Sequence, residues 1–348
     1  MKLAVAALSL VLIVPGLAQS QAPAPPYLLD PGESPPVAPP PPSTPGSYPS
    51  ATAALGHTHP ECVAIYGKTP AQIEATPCGM PGGIAQPNTT YKACNQSGGF
   101  DFGGSNITLD CVNFRSSSAF GFRCNPSSGN CDNITIRRTT AKGNNASGQA
   151  QNFIRFTTYN GHAMRSALVE KSDISESDVL LMGGSGLNSD SLKYPGESYA
   201  LVIRGNRFHH ITQYPGAHTD GIYLTEAAKG VLFENNLITA VGTNPAYNWG
   251  SMIQDQPTQA GAGNHVFRNN HIVTDTTGAA LNFDGNPVCA APVVWNDNKV
   301  DLRSSTLFSY VKANVSSCAS IGSRGGISSC TGNTFENGSP LKCSSNGL

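Results

Sequence analysis

From about residue 106 to residue 337 the chain is written in short bursts. Two or three apolar side chains fall at alternate positions, a polar turn follows, another apolar pair appears, and a polar loop closes the unit. Ile107–Leu109, Ile134–Ile136, Leu201–Ile203, Val231–Phe233, Val266–Phe267 and Val293–Val294 are such bursts. Their period of two and their β-branched and aromatic content predict strands. A second burst closes most units: Phe153–Phe156, Gly221–Leu224, Ser251–Ile253, Ala280–Phe283 and Thr306–Phe308. No helical periodicity interrupts this region. Between the bursts an asparagine recurs at Asn206, Asn236, Asn270, Asn298 and Asn333, each followed two residues later by a bulky apolar residue. Ser172, Thr139 and Val112 occupy the same setting in weaker copies, and the successive spacings are 27, 33, 34, 30, 34, 28 and 35 residues. Short strands repeated at this period predict an all-β solenoid, a parallel β-helix of about eight coils.

In stacked coils equivalent residues lie one strand spacing apart, about 4.8 Å. At that distance one side-chain amide donates to the carbonyl oxygen of the next, so the asparagines read as a structural ladder rather than as a site. The strand, asparagine turn and strand of each unit resemble those of the right-handed parallel β-helix proteins of the pectate lyase-like superfamily. The resemblance spans about Asn106 to Asn337. It implies a fold, and much less an activity, because one fold hosts many chemistries.

The flanks differ in composition. Lys2, the apolar run Leu3–Val14 and the small-residue stop at Gly16-Leu17-Ala18 read as a secretory signal peptide over residues 1–18. Residues 19–52 are rich in proline and poor in apolar side chains, as in an extended linker. Residues 53–105 read as a cysteine-containing N-terminal cap, and residues 106–348 as the β-helix with a cysteine-containing C-terminal cap. Within the first cap, Thr69-Pro70-Ala71-Gln72 has the form of a helix N-terminus with a capping box, and a short helix there is expected to plug the open solenoid end. Ten cysteines cluster toward the two ends, predicting up to five disulfides and an extracellular or periplasmic location. Cys124–Cys131 and Cys318–Cys330 are the expected short-range pairs. His57-Thr58-His59 with Glu61 and Cys62 has the spacing of a metal clamp, but an oxidising compartment favours a disulfide at Cys62, and no metal site is assigned. The net charge of −1 leaves no basic stripe for nucleic acid and no polybasic membrane contact. The apolar run is too short to span a bilayer. A monomer is expected.

Candidate chemistry concentrates at His209-His210, Tyr214 and His218-Thr219-Asp220-Gly221-Ile222-Tyr223, where three of the eight histidines fall within ten positions. His218-Thr219-Asp220-Gly221 is similar to the Asn-Thr-Asp-Gly signature of β-helical polygalacturonases, which implies a catalytic role for Asp220. The Asp-Asp, Gly-His-Gly and Arg-X-Lys motifs of that family are missing. Aligning the closing strands on Ile222, Met252 and Leu281 creates outward rows: Tyr223 with Ile253 and Asn282, then Thr225 with Asp255 and Asp284. Two carboxylates on adjacent rungs would be about 5 Å apart. Such a pair raises one pKa, shares a Ca²⁺, or works as a glycosidase pair.

Two reactions on an acidic polysaccharide such as a polyuronate are therefore open. A lyase needs a positive group, for which Arg155 is the candidate, and a base such as His218 or Tyr223. A hydrolase needs Asp220 with Asp255 or Asp284. His209, His210, Tyr214, Trp249 and Asn282 are expected to bind the sugar, with Tyr247 a further stacking candidate. A non-catalytic glycan-binding adhesin or surface module, held out on the proline-rich linker, is the alternative.

Overall fold

The computed structural model describes residues 47–98, 100–116, 121–125, 127–143, 152–156, 162–177, 179–184, 186–211, 221–226, 228–240, 253–257, 263–274, 281–283, 293–303, 311–313, 327–329 and 331–341. All fall in one compact unit, Pro41–Leu348. The expected leader and most of the linker lie outside the described residues, as do Thr306–Phe308 and Cys318 with Cys330.

Each coil contributes one strand to each of three parallel sheets, and each sheet holds nine strands among the described residues. The first sheet runs from Ile84–Ala85 to Val311–Ala313, the second from Thr90–Lys92 to Ile327–Ser329, and the third from Asn95–Ser97 to Thr334–Phe335. The parallel β-helix is thus as the bursts predicted, with nine rungs where the repeat indicated about eight. The additional rung is the first. Its turn residue is Cys94, whose carbonyl receives the Asn113 amide, as the Val112 carbonyl receives Thr140 in the next coil. A cysteine only 18 residues (112 less 94) before the next copy offers no asparagine signal.

Alternation along each strand turns one column of side chains inward. Ile154, Leu181, Ile222 and Ile253 stack in register on the first sheet. Ile136, Val169, Ile203, Phe233 and Phe267 do so on the second. Rings from neighbouring coils meet inside: Phe208, Phe233, Phe267 and Trp295 follow one another at centroid distances of 5.8, 6.1 and 5.7 Å. Burial of such side chains contributes roughly 1.5–3 kcal/mol each before chain entropy is subtracted.

The asparagine ladder is fully formed. Asn236 Nδ2 donates to Asn270 Oδ1 at 3.1 Å and to the Ile203 carbonyl at 3.0 Å, and its backbone amide reaches the same Asn270 oxygen at 3.0 Å. The pattern repeats from Asn206 to Asn333, and Ser172 and Thr139 extend it with hydroxyls. The residue before each rung is left-handed. Gly205, Asn235, Asn269, Asp297 and Gly332 fill that position beside the asparagines, and these residue types tolerate it. In the first four coils the position falls to Ala93, Cys111, Arg138 and Lys171, at φ of 46, 58, 46 and 50°.

Those four residues are held by the segment that precedes the solenoid. Cys62 is disulfide-bonded to Cys111, Glu61 receives Arg138 at 2.5 Å and Lys171 at 2.6 Å, and Lys68 donates to the Ala93 carbonyl at 3.2 Å. Residues 48–68 therefore form a strap. It begins at Tyr48 against His271 in the seventh coil, passes under Arg207, whose guanidinium donates to the Ala51 and Ala53 carbonyls, and reaches His57 beside Thr140. Gly56 is required at the crossing, because a Cβ there would stand 2.2 Å from Thr140 Oγ1. The predicted helix is present as α2, Pro70–Glu74, with its Thr69–Gln72 capping box, preceded by α1, Pro60–Tyr66. As expected of a helix lying across the first coil, Ile73 of α2 clusters with Ala93 and Cys111 at the turns of the first two coils.

Cys78–Cys94 and the expected Cys124–Cys131 complete the disulfides among the described residues, and three such bonds suit an oxidising compartment. The metal-clamp spacing is used otherwise. His57 bonds Thr140 and Glu74, the His59 ring caps α1, and Cys62 is oxidised. Among the described residues no helix is long and apolar enough to cross a membrane.

Candidate functional site

The first sheet carries the polar row with most candidate residues. Arg155 lies between Ile154 and Phe156, both fully buried, so alternation turns the guanidinium outward, where it is half-buried. Tyr223 lies likewise between the buried Ile222 and Leu224. Strand register carries the row through Arg155, Met182, Tyr223, Gln254, Asn282 and Lys312. Toward the first coil the same sheet pairs Asp101 with Arg123, and Arg123 Nε meets Asp101 Oδ1 at 2.7 Å while Asn125 donates to the other carboxylate oxygen at 3.3 Å.

The expected alignment of Tyr223 with Asn282 is correct, but the residue between them is Gln254 rather than Ile253. Ile253, not Met252, pairs with Ile222 and Leu281, and it is fully buried. The step from Ile222 is 31 residues where 30 was assumed, and a one-residue slip transfers every position to the opposite face. Asp255 is consequently paired with Leu224 and Phe283, in the column whose Leu224 faces the core, and not with Asp284. The row of Asp255 with Asp284 is withdrawn, and with it the spacing argument for a carboxylate pair or a shared Ca²⁺. Asp284 itself, Tyr214, His218, Asp220, Tyr247 and Trp249 lie outside the described residues.

His209 and His210 stand elsewhere, at the end of strand Arg207–His209 in the third sheet. His209 Nε2 is 2.8 Å from Asp173 Oδ1, and Arg207 grips the same carboxylate with two bonds of 2.9 Å. Burial alone would raise the Asp173 carboxyl, but the hydrogen bonds from His209 and Arg207 outweigh it and hold it down at about 2. The ring nitrogens Nδ1 of His209 and His210 contact each other. The two histidines thus share a site with Asp173, while Arg155, Tyr223 and Asn282 share a different sheet.

Asp173 and Arg207 were overlooked in the candidate set although the ladder marks them. Each directly follows a rung residue, Ser172 and Asn206, which places them in register one above the other. Gln254 and Lys312 were overlooked because their strands were assigned one or more residues away. Among the described residues no cluster of three or more histidine, cysteine or acidic side chains is arranged to hold a metal ion. No protein-family model matches the chain, and no curated protein matches it in sequence.

Proposed function

We propose that the protein is a secreted polysaccharide-active β-helix that cleaves an acidic polysaccharide by a lyase-type reaction on the outer face of the first sheet. The observation that supports this most is the register itself, which keeps Arg155, Tyr223 and Asn282 in one row and pairs Asp255 with Leu224 and Phe283. The spacing argument for a hydrolase goes with the row of Asp255, whereas Arg155 and Tyr223 stay in one row. Arg155 and Tyr223 are two strands apart, about 10 Å by strand spacing, and both side chains are long enough to address one bound sugar. A guanidinium paired with the uronate carboxylate withdraws charge from it and acidifies the adjacent C–H. Tyr223 as its phenolate, or His218 as neutral imidazole, then takes that proton, the double bond forms as the glycosidic C–O bond breaks, and the same group returns the proton to the leaving oxygen.

A mature chain incubated with polyuronates and neutral glycans, with Ca²⁺ present, is expected to release an unsaturated, ultraviolet-absorbing product from a uronate. Absence of both that product and new reducing ends from every glycan would reject an enzymatic role. A second reading, a non-catalytic glycan-binding module, is favoured by the length of the polar row, which runs from Asp101 to Lys312 along the solenoid. It predicts binding without turnover, unchanged in Tyr223→Phe.

A further inference from the structure

The second sheet carries a column of charge whose sign changes at every rung. Strand register stacks Lys92, Asp110, Arg137, Glu170, Arg204, Glu234 and Arg268 in that order, and the next rung, Asn296, is neutral. Neighbours pair along it: Arg137 with Asp110 at 3.0 Å, Arg204 with Glu170 at 3.3 Å and with Glu234 at 3.9 Å, and Arg268 with Glu234 at 2.6 Å. Three other columns of the same coils repeat a residue type instead of alternating. The turn repeats asparagine, the inward column runs through Ile136, Val169, Ile203, Phe233 and Phe267, and the outer column beside the charges runs through Leu168, Val202, Leu232, Val266 and Val294. A strand laid one coil too far along the stack would therefore still meet asparagine with asparagine and apolar with apolar. Of these columns the charged one alone tells the two placements apart. Bypassing one coil sets Arg268 on Arg204, or Glu234 on Glu170, or Arg204 on Arg137.

We propose that this column is a register code, which rejects a growing stack that has skipped a coil and so directs each strand to its true neighbour during folding. Opposite charges directly across from one another stabilise a strand pair and like charges oppose it. A shift of one rung thus turns every attraction in the column into a repulsion. A shift of two rungs restores the signs, but it leaves two coils without partners and forfeits their burial. The code contributes little to native stability, because partly exposed ion pairs are individually weak. Its weight lies in the difference between two competing placements. Repeat chains need such a difference, since misassembly between like units is their characteristic failure. The code is independent of the polysaccharide reading, since a protein that turned over no uronate would still fold by it.

The full chain, unfolded in denaturant with its disulfides intact and then refolded, tests the code through Arg268→Glu beside Arg268→Gln. The Arg268 side chain is 51% exposed, so neither replacement burdens the core. Glutamate opposes Glu234 in the true placement and matches Arg204 when the sixth coil is skipped, whereas glutamine removes the pair and creates neither effect. Pulsed hydrogen exchange during refolding is expected to reveal a transient population in which Val231–Glu234 is unprotected while Leu201–Arg204 and Val266–Arg268 are already protected. That population should be about fivefold larger in Arg268→Glu than in Arg268→Gln. About 1 M salt, which shortens the screening length to about 3 Å, should reduce it to the level of the glutamine variant. Equal populations in the two variants, protection lost evenly over all coils, or a failure of Arg268→Glu to refold that salt does not relieve would overturn the register code.

Discussion

The asparagine turn and the outer row of the first sheet are both lines of polar residues one strand spacing apart, and they are opposite in kind. In the turn every amide is buried and consumed by the next rung, with Asn270 alone bonding Asn298 and the Phe233 carbonyl and receiving two bonds from Asn236. In the sheet row the residue type changes from rung to rung, through Arg155, Met182, Tyr223, Gln254, Asn282 and Lys312, and Arg155 and Tyr223 are only partly buried. Repetition marks the positions that stack on copies of themselves. Variation marks those that do not stack on copies of themselves. The comparison predicts that the two rows separate cleanly in experiment, the first governing stability and the second turnover.

The strongest test of the ladder is Asn270→Ala. It strips the acceptor from the Asn236 amide and side chain and removes the Asn270 bond to the Phe233 carbonyl. At about 1–3 kcal/mol for each such group, less some relaxation, the loss should be about 3–5 kcal/mol. Denaturant unfolding measures it, and hydrogen exchange should place the opening around the sixth and seventh coils. An unchanged midpoint would mean that the ladder is decorative.

Replacing Cys62 and Cys111 with serine should cost about 2–4 kcal/mol. The effect should be confined to the first coils, where Cys111 and its neighbours occupy the left-handed position without glycine or asparagine. Exchange that accelerates evenly along the solenoid would contradict a strap that specifically supports those turns.

The smallest of these effects concerns pH. His265 faces the core beside Phe267, its Nδ1 accepts from the Val231 amide, and burial pushes it down to about 3. The unfolded chain takes a proton at this histidine near its ordinary value of 6.5, while the folded chain takes it only near 3. Between those values the unfolded state binds more protons, so this contribution to stability is complete above about 6.5 and declines as pH falls. His265→Gln keeps the acceptor and removes the titration, so the variant should lose about 2 kcal/mol less than the parent between pH 7 and pH 5. Parallel pH curves for the two proteins would count against this burial effect.

How far the sequence spoke can be judged residue by residue. The inward columns and the ladder were legible because their period is enforced by contact with identical neighbours: Asn236 must match Asn270. The left-handed turn before each rung was legible in the later coils, where Gly205 and Asn235 announce it. It was silent at Arg138 and Lys171, whose conformation is supported by Glu61 more than 70 residues earlier (138 less 61 is 77). The candidate site was less legible. Loop length between Ile222 and Ile253 sets the register of the first sheet, and nothing local distinguishes a step of 30 from one of 31. That single residue moved Asp255 from the outer row to the column of Leu224 and Phe283. The Asp173–Arg207–His209 cluster failed to appear for a different reason, because its members were sought near the His218 motif rather than along the ladder.

The measurement closest to the central claim is turnover of a polyuronate by Arg155→Ala and Tyr223→Phe beside the parent, each with its unfolding midpoint. Both variants are expected to keep the parent midpoint within about 1 kcal/mol and to lose at least about a hundredfold in kcat/KM, the mirror image of Asn270→Ala. Full turnover in both variants, with the parent active, would contradict the assignment of the first-sheet row as the site.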